Sequence, residues 1–150
     1  MVDTQHKQMN SLEIAEFVND QQTGVLSLAS GNDSYSIPVS FVFKEEDQNV
    51  YLRLGYGNDS TKREFVDQVD RASFVIYDHT DDGWKSVLAR GPLEKLTETN
   101  LDSSIAQAVR NLRIPYFQVF DAEYEDLEFH IVRINATELS GIVARQGGSA

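Results

Sequence analysis

Residues 55 to 65, GYGNDSTKREF, place two cations, Lys62 and Arg63, at the opening of a predicted helix. A helix N-terminus carries a partial positive charge, so acidic residues or a bound anion are favoured there. Two cations at this point, in a chain of formal net charge -11, indicate that something negative binds nearby. The free helix amides, the hydroxyls of Ser60 and Thr61 and the two cations would together hold a phosphate group.

The same stretch also fits a purely structural interpretation. Thr61 and Glu64 have the spacing of a capping box, in which each side chain accepts a hydrogen bond from an otherwise unpaired backbone amide of the first turn. In that interpretation Lys62 and Arg63 simply face water. The local sequence leaves both possibilities open.

Other chemistry finds little support in the sequence. The three histidines, His6, His79 and His130, lack metal-ligand spacing, and we predict no metal site. The chain has no cysteine, which excludes disulfides, zinc-thiolate sites and thiol nucleophiles. No G-x-S-x-G, Walker or G-x-G-x-x-G pattern is present. No residue stands out as a catalytic acid or base, and His130 is expected to be structural.

Composition predicts one acidic globular domain over residues 1–150, with frayed ends at 1–9 and 146–150. The chain has 24 acidic against 13 basic residues, so we expect it to bind neither nucleic acid nor anionic membranes. The absence of long apolar runs predicts a soluble, cytoplasmic protein. The acidic surface favours adaptation to high salt, a halophilic protein, over an ordinary acidic cytosolic one.

Hydrophobic periodicity predicts a mainly β fold. Asn10 and Glu13 have capping-box spacing at the start of a short amphipathic helix. Two-residue alternation then predicts six strands, at residues 23–30, 34–44, 49–55, 71–80, 84–96 and 125–139. Further helices are predicted at about 60–69 and 101–112. This order predicts a six-stranded antiparallel barrel with short helices at the connections.

This frame, over roughly residues 10 to 140, resembles the FMN-binding split barrel of the pyridoxamine 5′-phosphate oxidase family. The stretches that carry the resemblance are GVLSLAS, IPVSFVF, VYLRLG, STKREFVDQVDRASFVIYD and WKSVLARGPLEKL. Family members place a lysine, often preceded by serine and arginine, at the start of the helix after the third strand. That lysine holds the phosphate of FMN, and Ser60, Thr61 and Lys62 fall on this motif.

The resemblance also implies where the flavin ring lies. The family's second strand lines the ring, and the matching residues are Val39, Ser40, Phe41 and Val42. A polar residue of the fifth strand reaches the flavin, and Ser86 occupies its place.

The sequence departs from the family pattern at three points. Thr61 stands where the motif has arginine, so Arg53, Lys44 or Arg63 would have to supply the second phosphate cation. Asp59 adds a negative charge beside the expected phosphate. The C-terminal arginine segment with which true oxidases grip their substrate has no clear match.

In the family two subunits pack side by side with FMN in the groove between them, so the resemblance implies a homodimer. Trp84, on a non-core strand face, would face a partner or a ring, or would cover the barrel mouth. The implied function is an FMN-dependent oxidoreductase acting on an unidentified small molecule. The alternatives are a reductase that uses a deazaflavin coenzyme, a non-catalytic flavin sensor or carrier, and an empty-barrel interaction module.

Overall fold

A closed six-stranded antiparallel barrel forms the centre of the fold. The computed structural model describes residues 3–56, 61–97, 101–112 and 128–147. The strands in these residues are β1 (Asp3–Gln8), β2 (Thr23–Ser30), β3 (Asp33–Lys44), β4 (Asn49–Tyr56), β5 (Arg71–Thr80), β6 (Gly83–Leu96), β7 (Glu128–Asn135) and β8 (Glu138–Gly147). The helices are α1 (Ser11–Asn19), α2 (Thr61–Gln68) and α3 (Ser103–Arg110).

The long strand β6 closes the barrel because it pairs with two different partners. The strand order is β1-β8-β6-β5-β2-β3-β4-β7, and an additional β6–β7 pairing joins the two ends of the barrel. Residues 84–90 of β6 pair with β8, whereas residues 93–96 pair with β7. Gly91 lies at the change of partner, where a Cβ atom would stand 1.8 Å from the Asn135 carbonyl oxygen. Only glycine allows the two backbones to approach this closely.

The alternation of the strands fills the barrel with apolar side chains. In β3 the buried Ile37, Val39 and Phe41 alternate with the more exposed Ser36 and Pro38, as the two-residue period predicts. The largest fully buried side chains are Phe74, Leu26, Leu28, Leu52, Leu54, Ile76, Ile134, Val18, Val39, Val50, Val87 and Val109. The barrel interior is therefore a packed core.

The structure confirms the predicted barrel and the cap of the first helix. Asn10 accepts a hydrogen bond from the Glu13 amide at 2.8 Å, and Glu13 accepts one from the Asn10 amide at 3.1 Å. The predicted helix at 101–112 is α3, whose N-cap Asp102 accepts from the Ile105 amide at 2.9 Å. None of the helices in the described part of the chain has the length and apolar content needed to cross a membrane.

The two ends of the chain differ from the sequence prediction. The pattern predicted frayed ends at 1–9 and 146–150, but β1 pairs with β8 from Asp3↔Gly147 to Gln8↔Ile142. The prediction of a single strand at 125–139 is wrong, because the chain turns after β7 and continues as β8. The turn is held where the Ala136 amide donates to the Gln48 carbonyl at 3.0 Å. Backbone pairing, which needs no apolar pattern, places residues 3–8 and 142–147 in the sheet.

Candidate functional site

Lys62 points into the protein from the first turn of α2. Its side chain is only 4% exposed, and its ammonium group Nζ donates to the Gly55 carbonyl at 2.7 Å. Lys62 and Val66 are the buried residues of α2 and stand four residues apart, so they share one helix face, while Thr61 and Glu64 are exposed. The interpretation in which both cations face water is therefore wrong for Lys62.

Burial makes the Lys62 ammonium group unusually easy to deprotonate. Removal from water disfavours the charged form and lowers the pKa of Lys62 from 10.5 to about 8. The group remains mostly charged at neutral pH, so α2 holds a poorly hydrated cation at the end of β4. Such a cation interacts more strongly with an approaching anion than an exposed lysine does.

The buried ammonium predicts that stability depends on pH. Between pH 8 and 10.5 the unfolded chain binds a proton at Lys62 that the folded chain has already released. The free energy of unfolding is therefore expected to rise with pH in this window, by on the order of 1 kcal/mol per pH unit. Denaturant titrations across the window should show this rise in the wild type relative to Lys62→Met. Parallel curves for the two proteins would contradict it.

Arg53 and Arg63, two other candidates for a phosphate cation, lie on β4 and α2 respectively. Arg53 precedes Gly55 by two residues on the same face of β4; its guanidinium carbon lies 4.3 Å from the centroid of the Phe129 ring. Its Nη1 donates to the Arg110 carbonyl at 3.4 Å. Arg63 is half-buried beside Lys62 on α2. Arg63 is thus the neighbour of Lys62 in α2, whereas the contacts of Arg53 are with the end of α3 and with β7.

A histidine of β7 lies within the influence of Arg63 and of a further cation, Lys95. His130 pairs with Leu54 in the β4–β7 ladder. Burial, followed by the charges of Arg63 and Lys95, lowers the pKa of His130, and the carboxylate of Asp67 offsets part of this effect. A neutral imidazole adds no charge to the site at neutral pH, and its structural role stays a prediction.

Lys44 was the third candidate for the missing phosphate cation. Its ammonium lies 3.5 Å from an Asp47 carboxylate oxygen and 3.6 Å from one of Asp102. The Asp47 charge is the largest cause that raises the pKa of Lys44. Lys44 is thus already paired with carboxylates at the start of α3, whereas Arg63 lies in the first turn of α2.

The β3 residues expected to line a flavin ring divide between the two faces of the strand. Val39 and Phe41 belong to the buried core, where Phe41 packs edge-on against Phe74 with ring centroids 5.4 Å apart. Ser40 and Val42 lie on the opposite face of the strand, where Val42 is half-buried but Ser40 is only 7% exposed. A molecule on the outside of the barrel could therefore touch the side chain of Val42, whereas Ser40 is largely covered and Val39 and Phe41 offer only their backbone.

Ser86 lies elsewhere on the same chain. It is exposed on the outer face of β6, between Tyr77 of β5 and Ile142 of β8 in the register of the sheet. Strands β5 and β2 separate it from β3 in one direction around the barrel, and β7 and β4 do so in the other. The strand order thus keeps Ser86 apart from the β3 residues within one chain. Ser60 lies outside the described residues.

Around Ser86 the outer sheet carries a set of exposed apolar side chains, which we call the aromatic patch. Its members and their exposed fractions are Tyr77 (59%), Trp84 (54%), Leu88 (36%) and Ile142 (43%). The Trp84 ring lies 4.7 Å from the His79 ring and 6.5 Å from the Tyr77 ring, measured between centroids. The alternation of β6 predicted that Trp84 points outward; Tyr77 and Ile142 were missed.

No group of three histidine, aspartate or glutamate side chains within the described ranges is arranged to hold a metal ion. The arrangement at α2 suits an anion and the aromatic patch suits an apolar surface.

An antiparallel barrel closed by one strand shared between two ladders is a split barrel. The chain belongs to the pyridoxamine 5′-phosphate oxidase family, whose sequence model matches residues 10–143. Lys62, Ser86 and residues 39–42 all lie within this match. A search of curated protein sequences found no match.

Solved structures share the fold at low sequence identity. An FAD-binding protein from Mesorhizobium loti is 18% identical with a TM-score of 0.67, and the match covers 96% of this chain and 100% of that one. An FAD-binding protein from Mycobacterium smegmatis is 19% identical with a TM-score of 0.63, covering 95% and 100%. A conserved protein of unknown function from Corynebacterium diphtheriae is 22% identical with a TM-score of 0.64, covering 92% and 97%.

Proposed function

We propose that this protein binds FMN, with the phosphate at the opening of α2. The observation that carries the proposal is the inward Lys62 ammonium, 4% exposed and 2.7 Å from the Gly55 carbonyl, with Arg63 next to it in the sequence of α2 and Arg53 two residues before Gly55 on β4. Membership of the oxidase family and the two structural relatives called FAD-binding proteins support a flavin. A dianionic phosphate is the ligand that this charge distribution suits best.

The residues present fit such a cofactor in separate roles. Lys62 and Arg53 neutralise the phosphate, and Thr61 lies exposed at the helix start, where its hydroxyl can donate to a phosphate oxygen. The half-buried side chain of Val42 contacts the ring, and the largely covered Ser40 lies two residues before it on β3. Bound FMN would supply hydride or electron transfer, which makes the protein an oxidoreductase acting on a small molecule.

A second copy of the chain completes this site. Ser86 is separated from β3 and α2 by the strand order, so a flavin contacted by all of them must lie between two chains. The aromatic patch, which contains Trp84 at 54% exposure, is a suitable apolar surface for the partner. We therefore propose a homodimer whose interface includes this patch and the hydroxyl of Ser86.

A flavin carrier or sensor without catalysis is the second candidate. Thr61 replaces the arginine of the oxidase motif, which removes one phosphate cation without removing Lys62. A deazaflavin coenzyme would use the same phosphate contacts. Flavin that binds but is not reduced by nicotinamide coenzymes or other biological electron donors would favour the carrier.

The experiment that tests the proposed function is a flavin titration of the purified protein. FMN is expected to bind with quenched fluorescence and an altered visible spectrum, and more tightly than riboflavin, which lacks the phosphate. FAD and a deazaflavin coenzyme serve as additional arms. Failure of every flavin to bind would refute the proposal and favour an empty barrel that associates with proteins.

The acidic surface supports the further proposal that the protein is adapted to high salt. With a net charge of -11, like-charge repulsion within the fold and between dimer subunits is screened as the Debye length falls to about 3 Å at molar salt. The melting temperature is expected to rise by several degrees between low and molar sodium chloride. Calorimetry that records a steady fall over this range would count against the proposal.

A further inference from the structure

A shallow cavity on the outer surface of β2, β3, β5 and β6 lies outside the proposed flavin site. Its volume is about 320 Å³, and it is lined by Ser27, Leu28, Ala29, Ser34, Arg71, Ala72, Ser73 and Arg90. None of these lining residues is acidic, although acids outnumber bases 24 to 13 in the chain. Two other depressions on the described surface contain aspartates or glutamates, as the composition leads one to expect.

The register of the sheet aligns polar groups across this cavity. Ser36 pairs with Ser27, Ser27 with Ser73, and Ser73 with Arg90 on four successive strands. Directly paired residues project from the same side of a sheet, so the three hydroxyls and one guanidinium form a continuous row. The Oγ atoms of Ser27 and Ser36 are 3.0 Å apart. The row offers hydroxyl donors beside a cation.

Arg71 and Arg90 differ in the partners that their guanidinium groups already have. Arg90 Nη1 lies 3.4 Å from a carboxylate oxygen of Glu138, an exposed and therefore weak ion pair. Arg71 is two residues from Ser73 on the same face of β5 and lines the cavity. No ion pair or side-chain hydrogen bond engages Arg71 among the described residues. The guanidinium group of Arg71 is therefore available to a ligand, and that of Arg90 can exchange Glu138 for one.

We infer that this cavity is a second anion site, which binds the phosphate or carboxylate group of a small molecule. Arginine forks and serine hydroxyls match the geometry of both oxyanions. Ala29 is the exposed apolar residue of the lining, because Leu28 and Ala72 are only 2% and 5% exposed, so the site suits a small and mainly polar ligand. The site does not use Lys62 or the aromatic patch, so it does not depend on the proposed flavin function.

The test is an amide chemical-shift titration of the ¹⁵N-labelled protein with sodium phosphate at low ionic strength. Sodium acetate is the second arm, and sodium chloride at matched ionic strength is the reference. We expect phosphate to shift amides at residues 27–29 and 71–73, and the acetate arm tells whether a carboxylate suffices. Arg71→Gln is expected to weaken binding by about fivefold or more, because it removes the available charged donor.

Two further variants make the result specific. Glu138→Gln is expected to tighten phosphate binding roughly threefold, because it removes a repelling charge and releases Arg90. Arg145→Gln is the control for Arg71→Gln, because it removes a positive charge from an exposed residue that does not line this cavity. It is expected to leave phosphate affinity unchanged. Equal phosphate affinity in wild type and Arg71→Gln would overturn the inference. Shifts that are confined to the surroundings of Lys62 would overturn it too, and would leave the flavin proposal standing.

Discussion

Trp84→Glu is expected to convert the protein from a dimer to a monomer at micromolar concentration. Trp84 is 54% exposed in the single chain, lies beside Tyr77 in the aromatic patch and also contacts the ring of His79. Tryptophans at the centre of interfaces often contribute more than 2 kcal/mol, and a symmetric dimer carries each substitution twice. Burying two carboxylates there should weaken dimerisation by roughly a hundredfold or more. Sedimentation velocity over a concentration series measures the effect.

The matched control is Leu12→Glu on α1. Leu12 is even more exposed, at 62%, but it does not belong to the patch on β5, β6 and β8. This variant introduces the same charge in place of an exposed apolar side chain and should leave the dimer intact. A wild-type protein that sediments as a monomer, or a Trp84→Glu variant that remains dimeric, would contradict the proposed interface and the two-chain flavin site with it.

The barrel could be predicted from the sequence because one face of each barrel strand is buried. Val39 and Phe41 are core residues and Ser36 is exposed, and the alternation of apolar and polar residues along β3 predicts this difference. Strand β1 could not be predicted in this way. Its sequence, DTQHKQ, contains no apolar residue, and its order comes from backbone pairing with β8. Backbone hydrogen bonds do not require a particular pattern of side chains, so the sequence does not reveal them.

The candidate site was predictable as a set of residue types but less so as an arrangement. The helix start with Lys62 lies where the pattern indicated, yet only the three-dimensional packing turns its ammonium inward to Gly55. The separation of Ser86 from β3 depends on the order of strands in the barrel, which local periodicity does not encode. Arg71 and Arg90 are 19 positions apart in the printed sequence and share a cavity only through the pairing of β5 with β6.

Lys62→Met is expected to weaken FMN affinity roughly tenfold to a hundredfold and to leave riboflavin affinity unchanged. A hydrogen bond to a charged group contributes about 1.5–3 kcal/mol, which corresponds to this range. Methionine is chosen because Lys62 is 4% exposed and packs with its stem buried, so alanine would also create a cavity. Methionine fills most of that space without a charge. Fluorescence titration of both proteins with both flavins measures the difference.

A pH series on the same two proteins tests whether the charge itself is responsible. Above neutral pH the flavin phosphate stays dianionic, so the protonation state that changes near the pKa of about 8 is that of Lys62. Wild-type FMN affinity should therefore fall as the pH rises through 8, while the FMN affinity of Lys62→Met stays flat. Riboflavin should show no such fall with either protein. If Lys62→Met binds FMN as tightly as wild type at neutral pH, the inward lysine has only a structural role, and the phosphate must bind elsewhere.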